Sequence, residues 1–184
     1  NRIRVLDSVT GEVSALSTSG AAYDHISKWT SDGTDIYFYS SGYTYEGGNY
    51  IYYYKLYRLT PEGVVSELDL IDGSGAAYTI DSNIGGLFSD GTDLFVAKGY
   101  GNTQQILRIV LETGTVIPYT IEGVTPNSVD NMYKMGDSLF AYSYDKIYEI
   151  ELAGTVATIS SITLDISGLN TSNFPAMGFR SLIA

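Results

Sequence analysis

The chain has 184 residues, of which 44% are hydrophobic and 17% are charged, as expected for one globular domain. It has no cysteine and one histidine, which excludes disulfide scaffolds, cysteine nucleophiles and metal sites built from several histidines. No apolar run approaches the roughly 18 residues of a membrane-spanning helix. The net charge of −11 argues against nucleic acid and anionic membranes as partners, because clustered Lys and Arg bind phosphate groups.

The first predicted element is a hairpin in residues 1–18. It consists of the apolar strand Ile3–Leu6, a turn at Thr10-Gly11 and a second strand that starts at Val13. The chain begins at Asn1 without a methionine or a signal-peptide pattern, so we expect a processed protein or a segment of a longer one.

Three longer segments follow, and each repeats the same order of turns. Each segment has an Asp-Gly turn, or Gly-Asp in the third segment, followed by a second glycine turn. The residues between these turns alternate between apolar and polar, which is typical of half-buried strands. The segments and their turns are residues 24–70 with Gly33 and Gly63, residues 80–121 with Gly91 and Gly114, and residues 130–162 with Gly136 and Gly154. Each segment is therefore predicted to form four antiparallel strands.

The length of the repeat predicts the architecture. Equivalent turn glycines are about 40–58 residues apart, and no segment has the apolar stripe of a long helix. Short strands repeated at such a period are typical of β-propeller blades. Residues 173–184 look like the first strand and the start of the second strand of another repeat, so they and the hairpin of residues 1–18 are predicted to share one blade. We expect either a closed ring of four blades or an open fragment that another copy closes.

These strings resemble the blades of β-propeller repeat proteins. The string Ser31–Phe38 is similar to the turn of TolB-like blades, and Leu6–Val13 is similar to the hairpin of quinoprotein-like blades. The resemblance covers nearly the whole chain and implies an all-β fold in a single domain, residues 1–184. The tryptophan of quinoprotein repeats and the Gly-His and Trp-Asp signatures are absent, so the resemblance implies no activity and no functional residues.

Tyrosine is the unusual residue type in this sequence. The chain has 17 tyrosines, and nine of them lie between Tyr37 and Tyr57, around the glycine-containing stretch Ser40–Asn49, which is predicted to be a long loop. Amphipathic rings on such a surface suit a protein interface or sugar stacking, whereas a half-exposed sheet also favours tyrosine. The candidate binding surface consists of Tyr43, Tyr45, Tyr50, Tyr52 and Tyr54.

The other candidate residues have structural interpretations. The aspartates of the two Asp-Gly-Thr-Asp strings are expected to accept backbone hydrogen bonds, since calcium loops need more closely spaced oxygen ligands. His25 lies beside Asp24, but the sequence lacks a Gly-x-Ser-x-Gly nucleophile turn. Trp29 is expected to pack in the core, and the alternative is an exposed ring that stacks on a ligand. Asn170 begins the string Asn-Thr-Ser, which matches the acceptor pattern for N-glycosylation. This pattern is only weakly specific.

No catalytic residues, metal ligands or cofactor-binding residues are predicted from the sequence. We therefore expect a non-enzymatic propeller, extracellular or at the cell surface, that serves as a binding or self-assembling scaffold. The expected partners are a protein, other copies of the chain through the split blade, or glycans. One alternative is a fragment of a propeller hydrolase or lyase whose site lies at the central channel. The other is a purely structural array of blades.

Overall fold

The computed structural model describes residues 3–99, 101–136, 138–143 and 146–162. Strands make up most of this part of the chain, and its only helical segment is a short 3-10 turn at Gly101–Thr103. The strands are β1 (Arg4–Leu6), β2 (Val13–Ala15), β3 (Ser19–Gly20), β4 (His25–Ser31), β5 (Ile36–Glu46), β6 (Asn49–Leu59), β7 (Val64–Glu67), β8 (Ile84–Ser89), β9 (Asp93–Lys98), β10 (Gln105–Val110), β11 (Thr115–Pro118), β12 (Thr120–Gly123), β13 (Asn131–Met135), β14 (Ser138–Ser143), β15 (Lys146–Ala153) and β16 (Val156–Ile162).

Three four-stranded antiparallel sheets dominate the fold, and none of them closes on itself. Sheet 1 contains β4 to β7, sheet 2 contains β8 to β11, and sheet 3 contains β13 to β16, with strands adjacent in the chain adjacent in each sheet. Strands β1 and β2 form a separate hairpin. The predicted turn glycines all have positive φ and lie between the predicted strands. The all-β fold is confirmed. Among the residues described, no helix is long and apolar enough to cross a lipid bilayer.

The Asp-Gly turns have the same hydrogen bonds in sheets 1 and 2. One carboxylate oxygen of Asp32 accepts hydrogen bonds from the backbone N–H groups of Thr34 and Asp35, both at 2.8 Å. Asp90 does the same in sheet 2, at 2.9 Å. An aspartate that satisfies two backbone donors stabilises a tight turn, which explains why this short string recurs at the same place.

The hydrophobic core lies between sheets that pack face to face. Sheets 1 and 2 enclose one cluster of buried residues, and sheets 2 and 3 enclose another. The first contains Tyr37, Tyr39 and Leu56 of sheet 1 with Leu87, Leu94, Val96, Leu107 and Ile109 of sheet 2. The second contains Phe95, Ala97 and Ile106 of sheet 2 with Met132, Leu139, Tyr148 and Ile150 of sheet 3. Both faces of sheet 2 are therefore buried, as the continuous burial of β9 shows.

The first strands of the three sheets converge. Strand β4 contacts β8, and β8 contacts β13. Sheets 1 and 3 also meet on this side, because the Lys28 ammonium donates a hydrogen bond to the backbone carbonyl of Asp130 at 2.5 Å. Strand β8 can approach the backbone of Val129 closely because it has a glycine, Gly85, at this point. Any side chain there would collide with the backbone of Val129. The first strands of the three sheets therefore lie next to one another, in the order β4, β8 and β13.

The chain that enters each sheet runs parallel to the last strand of that sheet, at its outer edge. We call these three segments the connectors. The first contains β3, which pairs with β7, and the third contains β12, which pairs with β16. In the second, Ile71 forms a parallel bridge with Thr115. Sequence reasoning does not predict this pairing, which covers the outer edge of every sheet.

Two predictions about sheet 1 are wrong. Residues 40–49 do not form a long loop, because β5 and β6 continue to a two-residue turn at Gly47 and Gly48, with φ values of 58° and 86°. Successive positive φ values suit a hairpin turn, so the strands have no need to end earlier. Trp29 does not lie in the core. It is 68% exposed, because among the described residues only the small hairpin β1–β2 lies on that face of sheet 1.

Two other predictions fall on residues 163–184, which lie outside the described residues. These are the strands expected in residues 173–184 and the glycosylation site at Asn170. Both stay predictions, and so does the sharing of a blade between the two ends of the chain.

Candidate functional site

A two-stranded arm extends from sheet 1 beyond the length of the other sheets. Strands β5 and β6 have 11 residues each, whereas β9, β10 and β14 have six. The additional residues continue the antiparallel ladder without interruption as far as the pair Glu46 and Asn49. We call residues 41–54 the tyrosine arm. Its length comes from an alternating sequence with high β-propensity, closed by two glycines.

Four tyrosines lie on one side of this arm and form what we call the tyrosine face. Tyr43 is directly opposite Tyr52, and Tyr45 is directly opposite Tyr50, so that all four side chains share one face. Each is between 59% and 63% exposed. The ring of Tyr50 lies 5.1 Å from that of Tyr43 and 5.0 Å from that of Tyr45, between ring centroids. The rings support one another in the edge-to-face and tilted geometries that aromatic pairs prefer.

Tyr54, the fifth predicted residue of the surface, has a different environment. It is partly buried and packs against the core between sheets 1 and 2. It also lines an open groove of about 620 Å³ at the base of the arm. The groove is lined by Asp24, Ser41, Gly42, Tyr43, Tyr52, Tyr54 and Asn83. The structure therefore brings the five predicted tyrosines to one region, in which four are exposed and Tyr54 belongs to the base.

Polar residues that sequence reasoning missed position the base of the arm. The Tyr53 hydroxyl donates a hydrogen bond to the Asp24 carboxylate, and the Tyr39 hydroxyl donates one to the side-chain oxygen of Asn83 at 2.9 Å. Gly42 lies beside the first of these bonds, where a larger residue would collide with the Tyr53 ring. No local pattern marks Asn83, because it reaches the groove from the connector that precedes sheet 2.

The remaining candidate site residues lie in or beside the strands of the sheets. His25 is exposed at the start of β4. Buried Asp35 and Asp93 form ion pairs with Arg58 at 2.5 Å and with Arg108 at 2.6 Å, each joining two neighbouring strands. Within the described ranges, no group of three or more His, Asp or Glu side chains is placed to hold a metal ion.

One phenol of sheet 1 has a perturbed acidity. Burial, together with the hydrogen bond that Tyr37 donates to Asp32 at 2.9 Å, raises the pKa of Tyr37 to about 12. Its hydroxyl therefore keeps its proton well into the alkaline range and stabilises the turn aspartate.

This region combines exposed tyrosine rings that pack against one another with an adjacent groove that has polar residues in its lining. No known protein family matches the chain, and no curated protein is significantly similar to it.

Proposed function

We propose that the chain is a β-propeller, or part of one, and that it acts as a non-enzymatic binding scaffold outside the cell or at its surface. Three repeated sheets that pack face to face, with their first strands converging, support the propeller arrangement. In this arrangement the sheets are the blades, and the tyrosine arm projects from one of them. The extracellular location rests on the amino-acid composition.

The tyrosine face is the observation that carries the proposed binding function. Tyrosine provides a large amphipathic contact area and is enriched in protein interfaces, where a few such residues supply most of the binding energy. The rings of Tyr43, Tyr45 and Tyr50 are already packed against one another in the free chain. A partner therefore meets a surface whose side chains are largely ordered before it binds, which reduces the entropic cost of association.

The partner that best fits this surface is another protein. Two copies of the chain would each bring a net charge of −11, and this repulsion opposes contact between copies. The tyrosine face itself carries no charged side chain, so it suits a partner surface that is apolar or amphipathic. The groove beside it, with Asp24 and Asn83 in its lining, offers hydrogen-bonding groups that suit sugars, and the experiment below separates the two classes.

The test compares two variants of the same arm. Tyr45→Ser combined with Tyr50→Ser removes half of the tyrosine face, whereas Ile51→Ser changes an exposed residue on the opposite face of the arm. Each labelled chain is used to capture proteins from a cell-surface fraction. We expect the unmodified chain and the Ile51→Ser variant to capture the same partner, and the double variant to retain less than a tenth of it.

Equal capture of that partner by all three chains would contradict the proposed site. A glycan array provides the second readout. If glycans bind in the absence of protein and are lost in the double variant only, the ligand of the tyrosine face is a sugar, and the proposed protein partner is wrong.

A further inference from the structure

Three tyrosine rings at the end of the tyrosine arm are in contact with one another. The ring of Tyr50 lies 5.0 Å from that of Tyr45 and 5.1 Å from that of Tyr43, between centroids, with the ring planes inclined at 58° and 80°. At this separation and tilt, the edge carbons of one ring approach the neighbouring ring to van der Waals contact, about 3.5–4.0 Å. Tyr50 therefore has two phenol rings as immediate neighbours.

The backbone of the arm holds Tyr45 and Tyr50 in fixed register. They are directly opposite each other in the ladder, next to the pair Glu46 and Asn49 that flanks the two-residue turn. Directly opposite residues have Cβ atoms about 4.5–5.5 Å apart, whereas diagonal residues such as Tyr43 and Tyr50 are separated by about 7–8 Å. The directly opposite pair is therefore the one that a short covalent link joins with less movement of the backbone.

Exposure gives the rings of Tyr45 and Tyr50 the freedom to turn. Within the described part of the chain, Tyr45 is 63% exposed and Tyr50 60%. Exposed side chains change rotamer in picoseconds to nanoseconds, so these rings reach orientations in which the carbons beside their hydroxyl groups meet. A tyrosine pair outside the arm provides the contrast: Tyr57, which contacts Tyr23 at 6.3 Å, is 2% exposed, and its hydroxyl donates a hydrogen bond to the carbonyl of Ala22. That ring is held in the core and lacks this freedom.

We infer that the tyrosine face is a site of oxidative cross-linking, at which hydrogen peroxide and a haem peroxidase join Tyr50 to Tyr45. Each phenol loses one electron and its hydroxyl proton, and the two phenoxyl radicals form a carbon–carbon bond at the ring positions beside their oxygens. The hydrogen on each of these carbons then moves as a proton, through solvent, to the oxygen of its own ring, which restores both phenols. The two electrons and two protons removed reduce one molecule of hydrogen peroxide to two molecules of water.

The bond between Tyr45 and Tyr50 closes a covalent ring around the turn of the arm. Among the described residues, the strands next to β5 and β6 end at the base of the arm, so its outer part is a two-stranded ribbon. Such a ribbon alone is at best marginally stable in water. The bond keeps its two strands together even after cleavage of the backbone at the turn, and both hydroxyl groups are retained. This inference goes beyond the proposed binding function and does not depend on it.

The test compares tyrosine-to-phenylalanine variants of the full chain, because phenylalanine keeps the ring but lacks the hydroxyl from which the radical forms. Each chain is treated with a haem peroxidase and hydrogen peroxide, and the blue fluorescence of dityrosine is measured in the monomer after separation by size under denaturing conditions. We expect this fluorescence in the unmodified chain and in two controls from the same face, Tyr43→Phe and Tyr52→Phe. The variants Tyr45→Phe and Tyr50→Phe should lose most of it.

Peptide mapping then locates the bond. Cleavage after lysine, arginine and glutamate separates residues 29–46 from residues 47–55, so each strand of the arm yields its own peptide. In the oxidised monomer these two peptides should be recovered as one product, whose mass is the sum of both less two hydrogen atoms. Fragmentation of this product should place the link at Tyr45 and Tyr50.

The absence of dityrosine in the monomer, while free tyrosine added to the same reaction is oxidised, would overturn the inference, whether or not another segment of the chain covers the rings. A link between other tyrosines, or equal fluorescence in Tyr50→Phe, would do the same. Fluorescence confined to covalent dimers would show that coupling takes place between copies rather than within the arm. Capture of a partner by the untreated chain does not enter these outcomes, so a failure here is distinguishable from a failure of the proposed binding function.

Discussion

Replacing Gly85 with alanine should separate sheets 2 and 3 along their first strands. Gly85 lies at an irregularity of β8, and an added Cβ would be 2.8 Å from the carbonyl carbon of Val129 and closer still to its oxygen. The collision is with backbone atoms, so no side-chain rotation relieves it. Residues before β13 would have to move away from β8, and with them the packing of Met132 on sheet 2.

The expected cost follows from this geometry. Overpacking a well-packed core costs about 1–3 kcal/mol, and a rigid backbone neighbour places this substitution at the upper end, about 3 kcal/mol. For a chain of this length, such a loss lowers the melting temperature by about 6–12 °C.

Urea unfolding of the full chain, followed by far-UV circular dichroism, measures this loss. The matched control is Gly73→Ala, because a Cβ there meets nothing within 4 Å and the backbone has no positive φ. That variant should be unchanged, or more stable by about 0.4–1 kcal/mol through the reduced entropy of the unfolded chain. If Gly85→Ala and Gly73→Ala unfold at the same urea concentration, the close approach of the two sheets is not a feature of the folded protein.

Three further predictions concern sheets 1 and 2. Burial raises the pKa of Tyr37 to about 12, above the roughly 10 of an unfolded chain, so its contribution to stability is complete below pH 10 and is lost between pH 10 and 12. Urea unfolding at pH 8 and 11 should therefore show a smaller alkaline loss for Tyr37→Phe, and an equal loss in both proteins would refute the assignment. Arg108→Met leaves the buried carboxylate of Asp93 unpaired and should cost about 2 kcal/mol, whereas Lys55→Met, in an exposed ion pair, should cost less than about 1 kcal/mol. Equal costs in thermal unfolding would contradict this difference. Gly48→Val strains the turn of the tyrosine arm, so limited proteolysis should cut the arm faster while the urea midpoint changes little; an unchanged cleavage rate would count against it.

The features of this fold that could be predicted from sequence are local ones. An aspartate and a glycine at fixed spacing determine a tight turn through hydrogen bonds within five residues, as at Asp32 and Asp90. Alternation of apolar and polar residues then determines which side chains are buried. These two signals were sufficient for the order of the strands in all three sheets, but not for the two-residue turn between β5 and β6.

Features that depend on distant residues could not be predicted. Trp29 is a large aromatic residue in an alternating strand, which is typical of a core position. Its burial depends on a strand that the described residues do not supply. Asn83 approaches the groove through a connector, and the parallel pairing of connectors has no periodic signature.

The signal for the tyrosine arm was present in the sequence but pointed to two structures. The glycines at positions 42, 47 and 48 suggested a loop, whereas the alternating tyrosines on both sides of Gly47 and Gly48 are typical of paired strands. The structure has the paired strands that the alternation predicts. The two-residue turn uses only Gly47 and Gly48, so the remaining residues are free to pair.

The parallel connectors mean that the repeat in the sequence and the physical repeat do not begin at the same residue. Ile71 precedes sheet 2 in the chain, yet its backbone N–H bonds the carbonyl of Gly114 and its carbonyl accepts from Val116, both in the last part of that sheet. A fragment cut immediately before β8 would leave this outer edge bare, whereas one cut before the connector would retain it. Deletion, duplication or grafting of a repeat should therefore use boundaries at the start of the connector, because that is where the hydrogen-bonded unit begins.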